Sequence, residues 1–176
     1  FLSDLYQELD EQDKKSQYAK LAQQRKAAIN KYLFSKSTQF YYDYDIQKQT
    51  TTDTESLAAV LPLFTRVADK NHAKAVATRL KDAFLVKGGL LTTLNFTHQQ
   101  WDAPNGWAPL HWFAVEGLKA YDEATFASEI IKRWLSTVDA FYAKSQQLME
   151  KYDVMHPTEP AGGGEYEVQH GFGWTN

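Results

Sequence analysis

The 176-residue sequence contains no cysteine. This absence excludes a disulfide framework, thiolate catalysis and cysteine-based zinc sites, but it leaves the cellular compartment open. No apolar run approaches the length needed to cross a membrane. The formal net charge is -3, and acidic and basic residues are mixed along the chain without forming a basic stripe. We therefore expect neither a membrane nor a nucleic acid as a partner.

Motifs that bind metals or common cofactors are also missing. The five histidines are His72, His98, His111, His156 and His170. They do not form an HExxH pattern or another close metal-binding spacing. No phosphate-binding loop or dinucleotide fingerprint is present either. The sequence therefore predicts no metal and no cofactor.

Aromatic residues are abundant: 14% of the chain, with five Trp, ten Tyr and ten Phe. Aromatic rings fill protein cores, and they also pack against the apolar C–H faces of sugars. The hydrophobic content of 43% is sufficient for a core, and the length is normal for one domain. Core packing explains most of these rings, so composition alone does not indicate a function.

Apolar residues recur at helical spacing through most of the chain, which predicts an all-α protein. A first helix places Tyr18, Leu21, Ala22, Ile29, Tyr32 and Leu33 on one face. Four further helices are predicted over residues 56–68, 70–85, 107–121 and 124–152.

Several residues and segments set the bounds and character of these helices. Pro62 starts or kinks the second helix, and Gly88-Gly89 ends the third. The fourth helix is apolar almost all round and should be deeply buried. Residues 31–45 form an aromatic connection with room for a short hairpin. Residues 156–176 contain Pro and most of the glycines, and are predicted to be loop.

Helices that are apolar all round alternate with amphipathic ones. This alternation suits two concentric helical layers, although an ordinary helical bundle fits the same periodicity.

Residues 100–109, QWDAPNGWAP, form the first candidate site. One interpretation is a rigid turn before a helix, since Asn-Gly and Pro favour turns. The other is a pocket wall, in which Trp101 and Trp107 offer ring faces while Asp102 and Asn105 bind hydroxyl groups. Local chemistry alone does not decide between them.

Residues 162–166, GGGEY, form the second candidate. Consecutive glycines let the backbone approach a ligand closely, and Glu165 could accept hydrogen bonds from sugar hydroxyls. A flexible linker is the alternative, but linkers favour small polar residues, whereas this segment is followed by aromatic ones. Glu150 lies upstream in LMEKYD, a context typical of a solvated surface residue.

Taken together, these segments resemble the trehalases of glycoside hydrolase family 37. Residues 100–109 correspond to the family's second signature, and GGGEY with GFGWTN at 171–176 corresponds to its glycine-rich stretch. Residues 31–45, which end in DYD, are similar to a third family segment. The sequence departs from the family at Ala161, where glycine is usual, and at Phe34, where tryptophan is common.

The resemblance implies an (α/α)6 toroid in which residues 1–176 are the C-terminal part of one catalytic domain. It implies inverting hydrolysis of α,α-trehalose to two glucose molecules, without a cofactor. In such enzymes a Glu near the end of the long helix is the general base, which corresponds to Glu150, and Glu165 contacts the substrate. The family's catalytic acid, an Asp, lies upstream, so both chain ends are interpreted as cuts and this chain alone is expected to be inactive.

Two alternatives and two locations stay open. The chain could belong to another (α/α)6 α-glucosidase, or it could be a non-catalytic helical sugar-binding or scaffold module. The expected partner is the missing N-terminal part of the same domain. Trehalases of this kind occur in the periplasm and in the cytoplasm, and the sequence does not distinguish the two.

Overall fold

The computed structural model describes residues 1–164 and 166–175. Six α-helices form in this part of the chain: α1 Leu2–Glu8, α2 Gln12–Tyr32, α3 Leu61–Phe64, α4 Lys70–Arg79, α5 Ala108–Lys119 and α6 Ala124–Ser145. Eight short strands form four antiparallel pairs. The strands are β1 Phe34–Ser35, β2 Phe40–Tyr41, β3 Tyr44–Asp45, β4 Thr50–Thr51, β5 Leu85–Val86, β6 Gly89–Leu90, β7 Asn105–Trp107 and β8 Lys151–Asp153. The structure is thus mainly helical, as predicted.

Helices α1 and α2 pack against each other, and Tyr6 stacks on Tyr18 with 5.2 Å between ring centroids. The helical spacing predicted around Tyr18 and Leu33 is confirmed by α2. That apolar face is not buried, however, since α2 has no buried residue and Leu21 is 48% exposed. The aromatic connection that follows contains the β1–β2 hairpin.

The predicted helix over 56–68 is shorter and less regular than expected. A 3-10 turn, Leu57–Val60, leads into α3, and the Ser56 hydroxyl caps it by accepting a hydrogen bond from the Ala58 N–H at 3.2 Å. Pro62 lies in the first turn of α3, where its missing N–H costs no helical bond. The expectation that Pro62 starts a helix is therefore confirmed, while the single long helix is wrong.

Helix α4 has the buried face that its spacing predicts, formed by Ala73, Val76 and Ala77. It continues as one π-helical turn, Leu80–Phe84, and then the chain enters the β5–β6 hairpin. The prediction that Gly88-Gly89 ends the helix is wrong, because the helix has already ended and the two glycines lie at the hairpin.

Helices α5 and α6 pack against each other, and α5 buries His111, Ala114, Val115, Gly117 and Leu118. The expectation that α5 is buried all round is wrong on one face, where Trp112 is 61% exposed.

Helix α6 ends at Ser145, earlier than the predicted limit at 152. Gln146 adopts a left-handed backbone conformation (φ 57°), which stops the helix. The chain then extends into β8, where Lys151–Asp153 pair with β7. The expectation that Glu150 lies near the end of the long helix is therefore wrong. Glu150 lies in the link between α6 and β8.

Strands β7 and β8 join two parts of the chain that are distant in sequence. Asn105 lies opposite Asp153, Gly106 opposite Tyr152, and Trp107 opposite Lys151. Beneath the pair lies a single hydrophobic core that includes Leu57, Leu80, Leu118, Ile130 and Val154. Among the helices that the structure describes, none is both long and apolar enough to cross a membrane.

Candidate functional site

The β7–β8 pair places the candidate motif 100–109 directly beside Glu150. Trp107 and Lys151, which are opposite each other, are both buried, and so is Glu150. Residues 162–164, called here the glycine segment, cross the same region. The structure therefore brings most of the residues singled out in the sequence into one place.

Glu150 is 1% exposed. Its Oε2 accepts a hydrogen bond from the Tyr166 hydroxyl at 3.2 Å, and its Oε1 lies 3.8 Å from the Lys151 ammonium nitrogen. The backbone is fixed as well, because the Glu150 N–H donates to the Gln169 carbonyl at 3.0 Å and Trp174 Nε1–H donates to the Glu150 carbonyl at 2.9 Å. The interpretation of Glu150 as a solvated surface residue is wrong.

Lys151 was not among the residues that the sequence indicated. Its side chain is fully buried, and its ammonium group donates to the Gly163 carbonyl at 3.1 Å. The nitrogen lies 5.4 Å from the centre of the Trp107 ring and 5.5 Å from that of Tyr166. Burial lowers the pKa of Lys151, while the charge of Glu150 acts in the opposite direction. A Glu-Lys pair in sequence carries no signal of such burial.

Four aromatic rings surround these two charged side chains. Trp101 stacks on Trp107 with centroids 3.9 Å apart, and Trp174 meets the edge of Trp107 at 5.8 Å. Trp101 remains 44% exposed, whereas Trp107 is buried beneath it. Tyr166 is partly exposed, and partial burial together with the charge of Glu150 raises the pKa of its hydroxyl. Trp174 and Tyr166 were recognised in the sequence only as aromatic neighbours of glycines.

The two polar residues predicted to bind hydroxyls differ in their surroundings. Asp102 accepts hydrogen bonds from the hydroxyls of Thr93, at 2.8 Å, and Thr97, so it stabilises its own loop. Asn105 donates from Nδ2 to the carbonyls of Gln100 at 3.2 Å and Gly162 at 2.8 Å. Sugar binding by either side chain stays a prediction.

The glycine segment is held against the first motif by backbone contacts. The Gly164 N–H donates to the His98 carbonyl at 2.8 Å, and Gly162 and Gly163 accept the bonds from Asn105 and Lys151. The φ angles of Gly163 and Gly164 are +80° and +90°, a region that favours glycine. Glu165 lies outside the described residues, so its predicted role in substrate binding is untested.

Three buried side-chain oxygens lack a hydrogen-bond partner within the described ranges: Gln100 Oε1, Asn105 Oδ1 and Glu150 Oε1. Unpartnered buried acceptors are costly, and they are rare in folded proteins. Here all three belong to one aromatic-lined cluster. The described residues therefore leave part of the hydrogen-bonding capacity of this cluster unused.

No group of three or more His, Cys, Asp or Glu side chains able to hold a metal ion occurs among residues 1–164 and 166–175. The described site offers carboxylate, ammonium, amide and aromatic groups.

Comparison with solved structures identifies the class of the fold. The chain superimposes with a TM-score of 0.63 on a GH63 mannosylglycerate hydrolase from Thermus thermophilus, at 19% identity over 81% of this chain and 33% of the other. With the neutral trehalase of Saccharomyces cerevisiae the TM-score is 0.74, at 26% identity over 82% of this chain and 28% of that one. The predicted fold is thereby confirmed: the chain forms part of an (α/α)6 toroid.

The chain belongs to the trehalase family, whose sequence model matches residues 1–176. It is similar to the periplasmic trehalase of Xanthomonas oryzae pv. oryzae, with 48% identity over 90% of this chain. The periplasmic trehalase of Salmonella paratyphi C is 45% identical over 93% of this chain. The chain spans 28% and 29% of the lengths of these two relatives.

Proposed function

We propose that this chain is the C-terminal part of the catalytic domain of an enzyme that hydrolyses α,α-trehalose to two glucose molecules. The observation that carries this proposal is the cluster around Glu150, where three oxygens without a partner among the described residues lie within a group of aromatic rings. A disaccharide has many hydroxyl donors and apolar C–H faces, so it complements both features. The family membership of the whole chain supports the same substrate.

In the proposed reaction Glu150 is the general base. Its Oε2 is held by Tyr166, while Oε1 has no hydrogen-bond partner among the described residues and is the oxygen that would accept a proton from water. The activated water attacks one anomeric carbon as the bond to the bridging oxygen breaks. An acid from the rest of the domain protonates that oxygen, so that one glucose leaves with its configuration unchanged and the other is inverted. Such acid–base pairs are separated by about 6.5–9.5 Å, which leaves room for the water.

The remaining predicted residues would form the sugar pocket. Trp101, with its exposed ring face, would pack against a glucose ring, and Trp107 would support it from beneath. Asn105 would bind a hydroxyl through Oδ1, while Asp102 would hold the loop in place and Glu165 would contact the substrate.

We infer that the rest of the same domain covers the exposed apolar face of this chain. A cavity of about 510 Å³ lies between α5 and α6, and includes Trp112 and Trp134 in its lining. Trp112 and Leu135 beside it are 61% and 59% exposed. Large apolar surfaces of this kind are usually covered by another part of a protein. Without that part, which also supplies the acid, this chain alone would not hydrolyse trehalose.

The compartment proposed for the complete protein is the periplasm. This choice over the cytoplasm is supported by the curated relatives named above, both of which are periplasmic trehalases.

The proposal is tested with the complete protein, supplied with trehalose, maltose and kojibiose in parallel. We expect trehalose to be hydrolysed with the highest kcat/KM, and proton NMR of the first products to show α- and β-glucose in equal amounts. Release of α-glucose alone would indicate retention and contradict the mechanism. Preference for maltose or kojibiose would indicate another α-glucosidase, and no hydrolysis would favour a non-catalytic module.

A further inference from the structure

Lys151 is a buried charged residue in the cluster around Glu150 to which the proposed reaction gives no role. Its ammonium group contacts three separate parts of the site: the Gly163 carbonyl at 3.1 Å, the ring faces of Trp107 and Tyr166, and Glu150 Oε1 at 3.8 Å. Because the side chain is fully buried, these contacts replace all of its water.

Burying a lysine is unfavourable, and the burial lowers the pKa of this ammonium group. The contact with Glu150 is longer than a hydrogen bond, so it compensates only in part for lost hydration. Apolar side chains of similar size often replace both members of a buried ion pair without loss of stability, although removing one member leaves the other charge buried and unpaired. Packing alone therefore does not explain a lysine at this position. A role in the site explains it.

We propose that Lys151 is a positioning residue for the hydrolysis. Its side chain joins the glycine segment to the catalytic base. Its hydrogen bond to Gly163 connects the segment to strand β8, and its charge lies 3.8 Å from Glu150 Oε1. The inference rests on the proposed function, since it assumes that Glu150 is the base.

The two contacts have separate consequences. The bond to Gly163 keeps the backbone of the glycine segment in place beside Asn105, which also binds that segment. The positive charge attracts the Glu150 carboxylate across 3.8 Å, which helps to orient the proposed base. Within the described residues, Glu150 and Tyr166 are the titratable groups that contact the Lys151 ammonium group.

The test compares Lys151→Met and Lys151→Gln with the unmodified complete protein. Met has a similar length but no charge, and Gln is neutral but keeps a hydrogen-bond donor for Gly163. We expect both variants to lose about 10-fold to 100-fold in kcat. In both, the acidic limb of the kcat/KM profile should move to higher pH, because the positive charge beside Glu150 is gone. The loss in kcat should be smaller for Gln.

Two controls separate this inference from the proposed function. Lys132→Met removes an exposed lysine on α6 and should leave kcat and the pH profile unchanged. Glu150→Gln shows whether Glu150 is the base at all. If Glu150→Gln is inactive while either folded Lys151 variant keeps the normal kcat and acidic limb, the role of Lys151 is refuted and the function stands. If Glu150→Gln is fully active, the base assignment itself is wrong.

Discussion

His111 illustrates how one buried side chain links two segments near the site. Its Nδ1–H donates to the Trp107 carbonyl at 2.8 Å, and its Nε2 accepts from the Leu90 N–H at 2.8 Å. These two bonds require the neutral ring. The ring also stacks on Trp134, with centroids 4.0 Å apart. Burial lowers the pKa of His111 to about 4, although the bond to Trp107 acts in the opposite direction.

This pKa predicts that stability decreases on acidification. The unfolded chain protonates His111 near its ordinary pKa of 6.5, whereas the folded protein does so only near 4. Stability is therefore lost as the pH falls from about 6.5 to about 4, and the contribution of this group is about 3 kcal/mol. Thermal unfolding of the complete protein, followed by circular dichroism from pH 7 downward, should show a falling Tm.

Variants of two histidines isolate this contribution. His111→Gln should lower the Tm at pH 7, because one of the two hydrogen bonds is lost, but its Tm should then fall less steeply with pH. His170→Gln, at an exposed position, should keep the normal pH dependence. If His111→Gln and the unmodified protein lose the same Tm between pH 7 and pH 4, the buried neutral ring is not the cause.

The residues of the site were predictable to different degrees. Glu150 could be found only through the family resemblance, because its neighbours in sequence suggest a surface position. Its burial arises from Tyr166 and Trp174, which are remote in the sequence and cover it through the fold. Lys151 gave no signal for the same reason. By contrast, Trp101 and Trp107 belong to a long and rare motif, and their aromatic character was visible directly.

At the scale of secondary-structure elements, the glycine segment depends on its backbone conformation. A Cβ added at Gly164, where φ is +90°, would lie 2.8 Å from Gln100 Cβ. At Gly163 it would lie 2.9 Å from the His98 carbonyl oxygen. Gly162, in the same run, has no atom within 4 Å of an added Cβ. The three adjacent glycines therefore differ in how far they tolerate a side chain.

Gly164→Ala should reduce kcat/KM for trehalose by about 10-fold or more, since strain at a positive φ and the contact with Gln100 would displace the segment. The Tm should change little because the segment is exposed. Gly162→Ala is the matched control and should retain near-normal kcat/KM. Equal activity of the two variants in a steady-state assay would mean that the observed backbone conformation is not required.

The elements themselves were predicted best where a helix buries one face. The buried face of α4 follows from its spacing, as does the amphipathic pattern of α6. The end of α6 was placed too late because apolar residues continue at helical spacing beyond Ser145, while pairing with β7 draws residues 151–153 into a strand. Strands of two or three residues are too short to show an alternating pattern.

At the scale of the whole molecule, the chain is part of a larger helical toroid. Periodicity in the sequence was compatible with either a toroid or an ordinary bundle, and the order of several rare motifs decided between them. The exposed apolar face of α5 and α6 shows the difference physically, since a self-contained bundle would bury Trp112 and Leu135. In the proposed reaction, the Glu150 cluster needs the rest of the domain for its acid.

The most direct test of this account is the turnover of trehalose by the complete protein carrying Glu150→Gln. The substitution keeps the size of the side chain but removes the proton acceptor, so kcat should fall by about 10²-fold to 10⁴-fold. The fold should be retained in the circular dichroism spectrum, and the control Glu159→Gln, at an exposed position, should keep normal kcat. Near-normal turnover by Glu150→Gln would contradict the assignment of Glu150 as the catalytic base.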